Sequence, residues 1–173
     1  MAAVRPEIDT SVDIARIQDY WLGGEDHFAA DRIAGDEAIQ ALPDMVASVR
    51  NTRAFLGRTV RYLSGEAGIR QFLDVGTGIP TACNTHEVAQ EAAPEARIVY
   101  VDNDPMVAAH ARALLASHPS GMTSYVDADL RDVDLVLEEA AGLLDFRHPI
   151  AVVLMAVLHS SRTRTTRGVS SSG

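Results

Sequence analysis

A chain of 173 residues with a formal charge of −9 and a pI near 5.0 is of one-domain size and lacks the basic surface with which general nucleic-acid binders displace phosphate counterions. Its cationic side chains are all arginine, which excludes Schiff-base lysine chemistry and a phosphate-loop lysine, and the single Cys83 excludes an internal disulfide and a cysteine zinc cluster. No charged-then-apolar leader opens the chain and its longest apolar run, residues 150–158, is too short for a bilayer, so the expectation is a cytoplasmic protein that meets small molecules and neither nucleic acid nor membrane.

Residues 1–10 carry few apolar anchors and are expected to fray. Val12, Ile14, Ile17, Tyr20 and Trp21 then recur at helical spacing, with Ser11 or Thr10 placed as the cap, Asp13 in the first turn and Gly23-Gly24 as the stop. A second helix is expected over residues 28–42, ended by Pro43. A third, over 44–64, presents Val46, Val49, Leu56, Val60 and Leu63 along one side. Residues 11–64 thus form a helical preface.

From Gln71 the pattern alternates between strand and helix. Strands are expected at 71–75, 97–102, 123–127 and 150–158, and helices at 81–93, 104–117 and 130–144, with Asp104 as N-cap and Pro105 at the first helical position of the middle one. Near-continuously apolar strands joined by helices imply a parallel sheet covered on both faces. Residues 160–173 hold serines, threonines and three arginines but a single apolar side chain, too little to offset the entropy of ordering them, and read as a disordered tail.

The chemistry concentrates at the strand ends. The segment Asp74-Val75-Gly76-Thr77-Gly78-Ile79-Pro80-Thr81 is strand, sharp turn and helix, and its glycines permit both the turn and close approach of a ligand to the backbone. The position three after Gly78 is Thr81, so the third glycine of the dinucleotide fingerprint is missing, which argues against NAD or FAD. A carboxylate at Asp74 suits a cationic ligand group, Asp102 closes the second strand where both ribose hydroxyls are commonly accepted, and Asp129 follows the third where an adenine amino group could be held. Each acid alone has a plainer reading, as turn cap, loop residue or helix cap. The row of three describes a nucleoside with a cationic tail.

These motifs, with His86-Glu87-Val88-Ala89-Gln90, Val99-Tyr100-Val101-Asp102-Asn103-Asp104-Pro105 and Ala128-Asp129-Leu130-Arg131-Asp132, resemble the actinobacterial S-adenosylmethionine-dependent methyltransferase family once catalogued as a domain of unknown function. Residues 15–31 and Asn51-Thr52-Arg53-Ala54-Phe55-Leu56 are similar to it too. The resemblance covers about Val12 to His159. It implies a Rossmann-like class I methyltransferase sheet, α/β and mostly parallel, of which about four strands in the order 3-2-1-4 are present behind the helical preface. It implies S-adenosylmethionine as cofactor, with Asp74, Gly76, Thr77 and Gly78 at the methionine end, Asp102 at the ribose, Asn103 beside the adenine and Asp129 at its amino group.

After His159 the chain departs from the family pattern, and this reads as a truncated or frameshifted sequence within which residues 1–159 form one domain, 70–159 its Rossmann-like half. The fourth strand then offers an apolar edge for self-association. Tyr20 and Trp21 are candidates to close over the sulfonium by cation–π contact, with Gly23 and Gly24 letting that segment fold over; the alternative for both aromatics is core packing. Asp26, His27 and Arg53 are lesser pocket candidates. His159 is the histidine placed to act as a base, none of the histidines has metal-ligand spacing, and Cys83 reads as a buried filler. The reading is a methyltransferase with a small-molecule acceptor. The alternatives are an inactive remnant that binds cofactor or a partner, and a nicotinamide-dependent oxidoreductase.

Overall fold

A computed structural model describes residues 11–80, 83–114 and 118–155, with the side chains of 111–114 left aside. The expected tail over 160–173, His159 and the last residues of the expected fourth strand lie outside the described residues.

Three helices lead the chain: α1 (Ile14–Leu22), α2 (Ala29–Ala41) and α3 (Met45–Gly65). The cap of α1 is Asp13 rather than Ser11 or Thr10. Its extended backbone aims the carboxylate at the N–H groups of Ala15 and Arg16, at 2.7 and 3.3 Å, and a carboxylate satisfies two end donors while opposing the helix dipole. Gly23 stops the helix at φ 86°, a left-handed conformation that a Cβ would penalise. Gly24 is required for another reason. A Cβ there would meet the Asp19 carboxylate at 1.9 Å, and that buried carboxylate accepts from the Asp26 N–H at 2.8 Å to fold the turn.

The alternating part follows as β1 (Gln71–Val75), α4 (Thr85–Ala92), β2 (Arg97–Asp102), α5 (Pro105–Leu114), β3 (Met122–Asp127), α6 (Val133–Ala140) and β4 (Ala151–Val153). All pairings are parallel in the order β3-β2-β1-β4, as expected, and the register Asp74↔Tyr100 with Asp102↔Asp127 brings the strand ends to one edge. Two helices are shorter than the pattern suggested. The helix expected from residue 81 starts at Thr85, because Asn84 takes the cap position and its N–H is held by the Glu87 carboxylate at 2.8 Å. The helix expected from residue 130 starts at Val133, because Asp132 caps it and 130–131 are a turn. Cys83 is exposed, not buried: its φ of 64° turns the chain just before α4.

Alternate side chains of each strand enter two cores. Phe72, Ile98, Tyr100 and Val153 pack on one face with Leu56 and Val60 of α3 and Val88 and Ala89 of α4. Leu73, Val75, Val99, Val101 and Val126 pack on the other with Val136 and Ala140 of α6. All five residues of β1 are buried, and β1 lies inside the sheet between β2 and β4 and carries the glycine turn. Phe72 is fully buried, and its truncation to alanine is expected to cost about 3–5 kcal/mol.

Candidate functional site

The carboxyl ends of β1, β2 and β3 open into one cavity of about 620 Å³ beneath α1 and α3. Asp74, Gly76, Thr77, Gly78, Asp102, Asn103 and Asp129 all line it. So do Trp21, Arg53, Leu56 and Val49 from the helical preface. The site forms where residues more than fifty positions apart in sequence are drawn to a single sheet edge, the usual place for a ligand in an open α/β sheet.

The glycine turn is built from the backbone. Gly76 and Gly78 have φ of 71° and 65°, and the Gly76 N–H donates to the Val101 carbonyl at 2.7 Å, tying the turn to β2. A Cβ at Gly78 would come within 3.9 Å of Ala15 Cβ, so α1 lies directly over the turn. Asp102 holds the same turn from the other side. Its carboxylate accepts from the Gly78 N–H at 2.9 Å and from the Asp104 N–H at 3.0 Å, while burial pushes its pKa up against those bonds.

Asp74 is more deeply enclosed. It is 5% exposed, accepts from Thr85 Oγ1 at 2.6 Å, and is pushed up to about 6 by burial, with Thr85 and Arg53 opposing the rise and Asp102 adding to it. Such a carboxylate gains most from a cation brought beside it. Asp129 differs in kind. Arg131 donates to it from its backbone N–H at 2.9 Å and from Nε at 2.8 Å, with a further Nη2 contact, and these bonds hold its pKa down at about 2. The Asp129 carboxylate at the β3 end is thus already held by a local ion pair.

Behind the site, Arg16 joins the helical preface to the sheet. It is 4% exposed; its Nε donates to Asp31 at 3.0 Å, Nη1 lies 3.7 Å from Asp104 Oδ2, and its guanidinium sits 5.2 Å from the Phe28 ring centroid. Asp31, fully buried, also accepts from the N–H groups of Asp13 and Phe28 at 3.0 and 2.8 Å. Asp104 Oδ2 is buried with no hydrogen-bond partner and relies on Arg16 for compensation. The other Asp104 oxygen accepts from the Met106 N–H at 2.7 Å, the capping role expected of it.

Several expected pocket residues lie elsewhere. Tyr20 is not part of the cavity lining: its hydroxyl donates to Asp36 Oδ1 at 2.9 Å and its ring borders Gly35 on α2, so helix packing claims it. Trp21 lines the cavity while its Nε1 donates to the Gly35 carbonyl at 3.3 Å. Gly23 serves as the α1 stop, outside the lining. His27 contacts Asp19 at 3.1 Å and Asp26 contacts His110 at 3.2 Å, both away from the cavity. His86 is buried against Tyr100, whose hydroxyl accepts from the His86 N–H at 2.8 Å and lies 2.8 Å from its Nδ1. Burial pushes that histidine's pKa down and the tyrosine's up, so both stay neutral. Among the described residues no cluster of three metal-ligating side chains exists, and no helix is long and apolar enough to cross a membrane.

Sequence reasoning passed over Asp13, Arg16, Asp31 and Arg131. For Arg16 the available signal was an arginine within the apolar stripe of α1, and Arg131 two residues after Asp129 was the signal for that ion pair.

Comparison with known proteins bears on the family and the fold. The profile of a family described as S-adenosyl methyltransferase matches residues 1–168. The fold is similar to the crystal structure of a DUF574 family protein from Streptomyces avermitilis MA-4680, with a TM-score of 0.85 and 48% identity over 88% of this chain and 59% of that one. It is also similar to that of a proposed methyltransferase from Thermobifida fusca YX, with a TM-score of 0.84 and 45% identity over 94% of this chain and 61% of that one. The chain therefore spans about three-fifths of the length of these two structures. No curated protein matches. Nothing in these findings supports the oxidoreductase alternative.

Proposed function

We propose that this chain, which belongs to the S-adenosyl methyltransferase family, seats S-adenosylmethionine in the cavity at its strand ends and transfers the methyl group to a small-molecule acceptor. The observation that carries the reading is the buried Asp74 beside a glycine turn that Asp102 holds, in the cavity that Asp129 also lines. A nucleoside bearing an ammonium and a sulfonium matches that order of groups. Asp74 takes the ammonium, Asp102 the ribose hydroxyls, Asn103 the adenine edge and Asp129 the adenine amino group. Gly76 and Gly78 let the methionine portion approach the backbone.

When bound, the cofactor supplies a methyl group already activated by the sulfonium charge. The chain's own work is placement: the glycine turn and α1 fix the reacting end, and Trp21, Val49 and Leu56 close the acceptor side to water. Asp13, Asp74, Asp102 and Asp104 make the cleft acidic, which draws in a cationic cofactor and holds the product, shorn of the sulfonium charge, less firmly. The whole arrangement sits in one unit, a helical preface over 11–64 and a Rossmann-like half from 70 onward. The outer strand β4 exposes Val152, and Leu154 just after it is exposed as well, an apolar edge for association with a second copy.

Calorimetric titration of the chain with S-adenosylmethionine, S-adenosylhomocysteine and NAD, with solution mass measured alongside, tests these statements. Saturable binding of the two sulfur nucleosides and none of NAD is expected; the reverse overturns the reading. Binding without transfer to any acceptor would leave a cofactor binder. A mass equal to one chain at all concentrations counts against the β4 edge.

A further inference from the structure

The acids of the cleft account for the cationic and nucleoside groups of the proposed cofactor but leave its α-carboxylate, an anion, without a counterpart. Among the described residues five carboxylates line the cavity, Asp13, Asp74, Asp102, Asp104 and Asp129, against two arginines. Arg131 sits beside Asp129 at the β3 end, the far side of the sheet edge from β1. Arg53 is on the right side: it projects from α3, whose Leu56 packs in the same core as Phe72 of β1, and it lines the cavity with Asp74 and the glycine turn. We propose that Arg53 is the anchor for the α-carboxylate of the methionine moiety, so that Asp74 and Arg53 grip the two charges of one zwitterion from opposite walls, sheet and helix.

The assignment rests on the cofactor reading above and deepens it. Its chemistry is that of a guanidinium, which meets a carboxylate with two parallel N–H donors and so orients as well as attracts it. Independent support comes from the local field. Arg53 acts on the buried Asp74 and on Tyr100, the residue paired with Asp74 across β1 and β2, lowering the pKa of each. A positive charge that reaches both is close to the carboxyl end of β1. The same placement has a consequence for closure. A ligand held by Asp74 and Arg53 spans from the sheet to α3, so binding tightens the helical preface onto the Rossmann-like half.

The test compares S-adenosylmethionine with its decarboxylated analogue, which keeps the sulfonium, ammonium and adenosine and lacks only the carboxylate. Calorimetry on wild type, Arg53→Met and Arg53→Lys, each checked by thermal melting without ligand, reads the difference. Arg53→Met is expected to weaken S-adenosylmethionine binding by about ten- to a hundredfold, the scale of a charge-assisted pair, and to leave the decarboxylated analogue unchanged or tighter. Arg53→Lys should restore part of the loss. Equal weakening of both ligands, or of neither, overturns the assignment, since a residue that merely supports Asp74 or the fold cannot distinguish them. Should Arg53→Met not melt as wild type does, Arg53→Gln gives the same comparison. Failure of wild type to bind either ligand instead defeats the cofactor reading itself, and the Arg53 assignment with it.

Discussion

The strand ends of β1 and β2 and the strand end of β3 carry the same residue type to the same cavity and treat it in opposite ways. Asp74 and Asp102 are enclosed, and burial raises both pKa values; Asp129 is a third exposed, and its arginine neighbour lowers its pKa to about 2. The inner pair is held by the fold, through Thr85 on α4 and the Gly78 N–H, whereas the outer acid is held by a residue two positions along. A carboxylate that is costly to bury recovers that cost when a ligand arrives, and a carboxylate already paired has less to gain. The inner ends should therefore dominate affinity and the outer end should tune it.

Asp102→Ala breaks the comparison most strongly. It removes the proposed ribose acceptor together with the acceptor of the Gly78 N–H, and S-adenosylmethionine affinity is expected to fall by about 1.5–3 kcal/mol by calorimetry. Unchanged affinity would discard the ribose assignment.

Asp74→Asn should act in opposite directions on stability and binding. The folded pKa of Asp74, about 6, lies above the ordinary 3.8, so its contribution to stability is fully present below the ordinary value and is lost as pH rises through about 6. The neutral amide escapes that loss. Its ligand-free melting temperature should exceed that of wild type at pH 8, by the equivalent of roughly 1–3 kcal/mol, with the gap closing as pH falls below 6. Cofactor affinity should meanwhile drop, and wild-type affinity should itself weaken about tenfold per pH unit below 6, because the bound ammonium needs the carboxylate ionised. A pH-independent gap in melting temperature would show that Asp74 does not titrate as the fold implies.

Asp129→Ala is the smallest effect. Removal of an exposed local ion pair should change ligand-free stability by no more than about 0.5 kcal/mol and affinity by about 1 kcal/mol or less, and the affinity change should shrink at high salt. A loss as large as that of Asp102→Ala would erase the distinction between the inner and outer ends.

Much of this site was legible from residue order alone. The glycine turn was readable because few residues other than glycine adopt φ near +70°, and within the turn after β1 the positions that do so are Gly76 and Gly78. The strands were readable because a parallel sheet buried on both faces favours apolar runs, unbroken over residues 98–101 of β2 and interrupted in β1 by Asp74. Helix starts were less so. Asp13 and Asp132 mark helix starts because their carboxylates reach free N–H groups, and Asn84 does so because Glu87 holds its N–H, contacts that residue type alone does not specify.

By itself, then, the sequence determined the order of elements, the sheet order implied by its family pattern and the row of acids at the strand ends, because these depend on periodicity and on residue types with few substitutes. Tertiary structure alone decided which of those acids are enclosed. It also turned Tyr20 toward Asp36 and away from the cavity, set Arg16 between Asp31 and Asp104, and brought Arg53 of α3 to the same cavity as Asp74 of β1. Burial and charge pairing are properties of neighbours in space, and helix α3 reaches the end of β1 only once both have packed on the same core.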